Sequence, residues 1–117
     1  MSKEFVYVAA PYTHDVEDVV LERIELIYNA MAFLSKERGL HVTTPLFMHE
    51  LCLRRPMPGD YAFWQTYCLN LLKRCDRLIV LKLEGWEESK GVKEEIRYCI
   101  ENNIPYEFFE VGECYES

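Results

Sequence analysis

The chain has 117 residues, about what a single hydrophobic core organises, so residues 1–117 read as one domain. With 50% hydrophobic, 14% aromatic and 28% charged residues and only five Gly and five Pro, it has ample apolar surface to bury, which excludes a disordered chain. A formal charge of -7, from 20 acidic against 13 basic side chains, repels a nucleic-acid polymer but leaves room for a small nucleotide in one pocket.

The elements alternate along the chain. Glu4 to Ala9 (EFVYVA) is a β-rich run stopped by Pro11, which fixes φ and lacks an N–H. From Val16 to Lys36, Val20, Ile24, Ile27, Met31 and Leu34 recur at steps of three and four, which predicts an amphipathic helix capped by Thr13 or Asp15 and ended by Gly39. Leu40 to Thr44 reads as a second strand, closed by Pro45. Leu46 to Asp60, with Pro56, Pro58 and Gly59, reads as a loop over the strand ends. Asp60 is placed to cap a helix reaching to about Arg74, and Asp76 to Lys82 (DRLIVLK) is the near-continuous apolar run of a central parallel strand. After a loop from Leu83 to Ser89, a helix from Lys90 to Asn103 buries Val92, Ile96, Cys99 and Ile100, and Tyr106 to Val111 forms a last strand. Strand–helix alternation in one small domain predicts an α/β fold of Rossmann-like (flavodoxin-like) type, an open parallel sheet of four to five strands with flanking helices. Ligands of such sheets sit beyond the carboxyl ends of the strands, so the loops after Ala9, Thr44 and Lys82 are the expected site.

No apolar run approaches the roughly 20 residues of a membrane span, and Met1 leads straight into the first strand. A soluble cytoplasmic protein is expected, with neither signal peptide nor membrane partner. Five cysteines form no Cys-x-x-Cys pair, and His14, His41 and His49 are scattered, so a reduced interior and no metal are expected.

Among residues able to do chemistry, Ser89-Lys90-Gly91-Val92 opens the last helix. Its free N–H groups and small Gly91 could cradle an anion, or Ser89 could serve only as a cap. Glu94 and Glu95 are adjacent and so about 100° apart on the helix. Glu95 falls at the edge of the buried face, as a candidate nucleophile or as a carboxylate that stays in water, whereas Glu94 is expected to point away and be exposed. Tyr7 lies in the first strand, where a tyrosine is ordinarily core. Trp64, Tyr67 and Trp86 could stack on a base or simply pack, and Arg54-Arg55 could hold a phosphate or be solvated.

The ordered set Val6-Tyr7-Val8-Ala9-Ala10-Pro11-Tyr12-Thr13, Thr44-Pro45-Leu46 with His49, Asp60 with Phe63-Trp64 and Tyr67, Leu71-Leu72 with Cys75-Asp76, and Gly85-Trp86-Glu87-Glu88-Ser89 running into Gly91-Val92 and Glu95-Ile96 spans nearly the whole chain. In this the chain resembles the nucleoside 2-deoxyribosyltransferase-like superfamily, most closely a small branch frequent in phages and bacteria. The resemblance implies cleavage or transfer of the N-glycosidic bond of a nucleoside or nucleotide without a cofactor, in a homodimer or higher homo-oligomer, and in the host cytoplasm if the protein is phage-encoded. It implies Glu95 as the nucleophile, Tyr7 as the residue that holds it, and Ser89 near the sugar or phosphate. Ala10, Pro11, Tyr12, His49, Trp64, Cys68, Trp86 and Gly91 would surround the substrate.

Two positions depart from the superfamily pattern. Cys68 stands eight residues before Asp76, where the superfamily usually has the aspartate that helps the leaving base depart, and Ala10 replaces a glycine. A thiol with an ordinary pKa of about 8.5 is neutral near pH 7, so Asp60, two helical turns earlier on nearly the same face, is the carboxylate left for that role if its loop bends inward. The alternative expectation is a catalytically impaired protein that senses or sequesters a nucleotide-derived ligand.

Overall fold

The computed structural model describes residues 4–11, 14–55 and 61–112, apart from the side chains of His49, Cys52, Leu53 and Tyr61. The chain runs β1 (Phe5–Ala9), α1 (Glu17–Arg38), β2 (His41–Thr43), α2 (Leu46–Arg54), α3 (Tyr61–Lys73), β3 (Arg77–Leu81), a 3-10 turn (Trp86–Glu88), α4 (Lys90–Glu101) and β4 (Tyr106–Phe109). The four strands form one all-parallel sheet of order β2-β1-β3-β4. The protein is therefore an open α/β sheet flanked by helices.

Side-chain alternation along the strands feeds two cores. Val6 and Val8 of β1, with Ile79 and Leu81 of β3, meet Ile24, Ile27, Ala30, Met31 and Leu34 of α1 on one face. Tyr7 and Ala9, with Leu78 and Val80, meet Leu72 near the end of α3 and Val92 and Cys99 of α4 on the other. Because both faces are covered, FVYVA and the LIVL that follows Arg77 are near-continuous apolar runs. In the register, Tyr7 lies opposite Leu78 on one side and Thr43 on the other.

The amino-terminal edge of the sheet is tied by polar groups. The Phe5 N–H donates to Asp76 Oδ2 at 2.8 Å, and Arg77 bridges Glu4 and Glu107 at 3.2 and 2.9 Å. The chain runs outward from β1 to β2, then crosses back to β3 and on to β4, so the switch point where such sheets open a crevice at the carboxyl ends of their strands lies between β1 and β3.

The sequence reading needs five local corrections. Ile100, expected in the buried face of α4, is exposed, and the last strand ends at Phe109 rather than Val111. Leu46 to Arg54 is helical rather than loop: the breakers Pro56, Pro58 and Gly59 lie beyond it, outside the described residues, and Pro45 at its start is compatible with a helix because an N–H is not needed there. Helix α1 is not capped by Asp15. Its N-cap is Val16, with no side-chain cap, and Thr13 is outside the described residues. Helix α4 ends at Glu101 rather than Asn103, which takes a left-handed φ of 57°. Gly39 ends α1 as expected, with φ 65°.

Candidate functional site

A cavity of about 790 Å³ opens at the carboxyl ends of the strands. Three connections wall it: Val8 to Pro11 after β1, Thr44-Pro45 after β2, and Gly85 with Glu88 to Val92 after β3. Helix α3 adds Trp64, Gln65, Cys68 and Leu69, which share one face by their i, i+1, i+4, i+5 spacing. Helix α4 adds Glu94 and Glu95.

Glu95 sits on the buried face of α4 with Val92 and Cys99, and only 7% of it is exposed. Beneath it the Tyr7 hydroxyl, wholly buried in β1, donates to Glu95 Oε2. Burial pushes the Glu95 carboxyl up to about 7; the Tyr7 hydrogen bond pulls it down, and the neighbouring Glu94 charge pushes it up. Tyr7 is driven well above its ordinary value by burial and by Glu95, so its proton stays in place to serve the carboxylate. The Cys68 thiol adjoins both groups, and burial together with the Glu95 charge pushes it to about 12, against the lowering effect of its hydrogen bond with Tyr7. At neutral pH it is a protonated thiol, neither a nucleophile nor a carboxylate substitute.

At the head of α4, Ser89 Oγ accepts from the Val92 N–H at 3.3 Å, a helix N-cap. Ser89 and Gly91 both line the cavity, and a Cβ placed on Gly91 would meet nothing within 4 Å. The helix N-terminus thus faces open space beside an unobstructed backbone, an arrangement suited to an anion.

Ala10, Pro11, Trp64, Cys68, Ser89, Gly91 and Glu95 are brought together around this one cavity, with Tyr7 supporting Glu95 from below. Trp86 is not among the lining residues; its ring packs on Phe108, 5.0 Å between centroids. Tyr12 and Asp60 lie outside the described residues, as does the side chain of His49. Glu94 departs from the exposed position expected of it. It is half-buried on the cavity wall and accepts a hydrogen bond from Gln65 Nε2 at 2.7 Å.

Gln65, Glu94, His14 and Arg23 are lining residues that the sequence reading did not assign to the site. Gln65 follows Trp64 on the face that also carries Cys68, and that spacing is the signal by which it could have been found. His14 Nδ1 accepts the Val16 N–H at 2.9 Å, so the neutral ring carries its proton on Nε2. Arg23 reaches Glu84 O at 3.1 Å, beside Gly85, whose φ of 88° turns the chain after β3 into the cavity wall.

Residues 4–110 match the family described as "Domain of unknown function (DUF1937)". The chain belongs to the DUF1937 family. No curated protein matches it. The matched span runs from the residue before β1 to the residue after β4, so it takes in every strand and helix that builds the cavity of this DUF1937 domain. Among the described residues no helix is long and apolar enough to cross a membrane.

Proposed function

We propose that this DUF1937 domain cleaves or transfers the N-glycosidic bond of a nucleoside or nucleotide, with Glu95 as the nucleophile. The observation that carries the reading is a buried carboxylate at the wall of a nucleotide-sized cavity, held by a tyrosine hydroxyl from the central strand. A carboxylate so poorly hydrated is a strong nucleophile once ionised, and the Tyr7 hydrogen bond fixes its aim. Resemblance to the nucleoside 2-deoxyribosyltransferase-like superfamily, in which a glutamate at this position attacks the sugar, supports the same assignment.

In the first step a Glu95 oxygen bonds to the anomeric carbon while the carbon–nitrogen bond breaks. The electron pair leaves on the base, which takes up a proton from water. In the second step water, or a nitrogen of another base, attacks the same carbon, releases the carboxylate and gives up its proton. Configuration is retained through two displacements. Ser89 and the open backbone at Gly91 would hold the sugar or its phosphate, and Trp64 would offer a ring face to the base.

One observation favours a second reading, a domain that binds a nucleotide-derived ligand without turnover. Cys68 stands where the superfamily has an aspartate, and its thiol stays protonated. The two readings part on one experiment. The protein is incubated with a panel of nucleosides, nucleotides and dinucleotides, free base is read by chromatography, and the Glu95→Ala variant is run alongside. Free base released by the wild type and lost in the variant, with affinity kept within about tenfold, is the expected result. Ligand bound stoichiometrically yet recovered whole at pH 8 would refute turnover and leave sensing or sequestration.

A further inference from the structure

The cavity has walls of unlike character. His14, Arg23 and Lys90 contribute the basic side chains, whereas Glu94, Glu95 and Gln65 stand where α3 and α4 face one another. Glu95 is committed to Tyr7; of the other two carboxylates among the described residues that line the cavity, Glu88 stands beside Ser89 at the head of α4 and Glu94 faces α3.

The Gln65–Glu94 hydrogen bond, 2.7 Å and half-buried, sets the character of this pair. In it the Gln65 amide N–H donates and Glu94 Oε2 accepts. It also orients both groups. With Gln65 Nε2 turned to Glu94 Oε2, Glu94 Oε1 and Gln65 Oε1 remain as acceptors. A pair of acceptors, one of them charged, fits a ligand edge that carries N–H donors and repels an edge that carries a carbonyl oxygen.

The placement of groups around α4 says which part of a ligand meets this pair. Ser89, at the N-terminus, is six residues from Glu95, about 9 Å of helical rise. Glu94 lies beside Glu95, about 100° round the helix on the flank that meets Gln65 of α3, so a nucleotide with its anionic end at Ser89 and its anomeric carbon at Glu95 can turn its base sideways toward Trp64, Gln65, Cys68 and Glu94.

The geometry points to Glu94, positioned by Gln65, as the group that selects the base: the cavity takes nucleotides whose base presents an amino group, in preference to those that present a carbonyl at the same place. This rests on the proposed function for the orientation of the ligand, but it concerns binding and does not require turnover.

The test uses matched pairs. Affinities of 2′-deoxycytidine and 2′-deoxyuridine 5′-monophosphates, and of 2′-deoxyadenosine and 2′-deoxyinosine 5′-monophosphates, are measured by calorimetry in the Glu95→Ala chain, where cleavage cannot interfere. Free-base release from the same four is measured in the wild type. The amino member of at least one pair should bind about 10- to 100-fold more tightly, the range expected for a hydrogen bond to a charged acceptor. Adding Glu94→Gln, whose amide can donate, should shrink that preference to within about threefold or reverse it, an effect that a merely structural role for Glu94 would not produce. Should Glu94→Gln fail to fold by circular dichroism, Gln65→Leu, which frees the carboxylate from its positioning bond, should also shrink the preference. Equal affinity within both pairs, no binding of any of the four, or a preference unchanged by these substitutions would overturn the assignment. A selective amino preference with no free base released by the wild type would uphold it and overturn the proposed cleavage instead.

Discussion

Replacing Glu95 by Gln should make the protein more stable at alkaline pH, by an amount that the geometry bounds. Gln keeps an oxygen for the Tyr7 hydroxyl and nearly the same volume, but it has no proton to lose. In the folded protein the Glu95 carboxyl titrates near 7 rather than 4.5, because burial penalises its charge. The folded state therefore holds this proton more tightly than the unfolded chain does. Below 4.5 both states are protonated and the carboxyl costs nothing. As pH rises from 4.5 to 7 the unfolded chain releases the proton first and stability falls, and above 7 the full cost remains. A gap of about 2.5, at about 1.4 kcal/mol for each, amounts to about 3.5 kcal/mol, most of it developed between pH 5 and pH 8. Urea unfolding of both chains at several pH values in that interval measures it. With a slope of about 1–2 kcal/mol per molar for a domain of this size, the wild-type midpoint should fall relative to Glu95→Gln by about 1–3 M. Every other titratable group is common to both chains, so its contribution cancels in the difference. A difference between the chains that stays constant from pH 5 to pH 8 would refute a buried, proton-holding Glu95.

The same carboxyl sets the pH dependence of turnover: a nucleophile must be ionised, so the rate should rise with pH through about 7 and level off above it, as measured by free-base release across pH 5 to 9. Tyr7→Phe removes the donor that holds Glu95 Oε2 and favours its charge, so its rate at pH 7 should drop about 10- to 100-fold and the rise of the pH–rate profile should move to higher pH. Gly91→Ala should raise thermal stability by about 0.5–1 kcal/mol, since the added methyl meets nothing within 4 Å and Ala is the better helix residue. The same methyl projects where an anion would approach the head of α4, so calorimetric affinity for a nucleotide monophosphate should weaken in that more stable variant.

The fold was readable where apolar pattern and chain-breaking residues agreed. FVYVA and RLIVL show as buried parallel strands because each is apolar on both faces, and α1 shows because Ile24, Ile27, Met31 and Leu34 keep helical spacing up to Gly39. Helix α2 was obscured because the proline-rich residues just beyond it set the character of the whole segment, although LFMHELCLR contains no breaker of its own. At the site, helical spacing puts Glu95 only at the edge of the buried face, and Tyr7 is named as its partner through the family resemblance, not by spacing. Tyr7 lies 88 residues away in sequence, and only the pairing of β1 with β3 beneath α4 brings it close. Glu94 shows the limit of a helical wheel. The wheel gives its angle from Glu95 correctly, yet α3 packs against that flank of α4, and Gln65 turns an expected solvent face into a cavity wall.

Strand order also governs the sequence of events when this chain folds. The strand made first, β1, is one of the two central strands, and its neighbours are completed at very different times. Residues of β2 follow about 36 positions later, whereas those of β3 follow about 71 positions later. Every pairing in the sheet spans a crossover, so contacts are distant in sequence and folding should be slow for so small a domain. Until residue 81 is in place, one edge of an apolar strand has no partner and is open to pairing with another chain. Conditions that delay β3, such as dilution from denaturant at high protein concentration, should therefore favour aggregation over refolding. The Tyr7–Glu95 hydrogen bond needs α4 seated on the finished sheet, so it should be among the last native contacts to form.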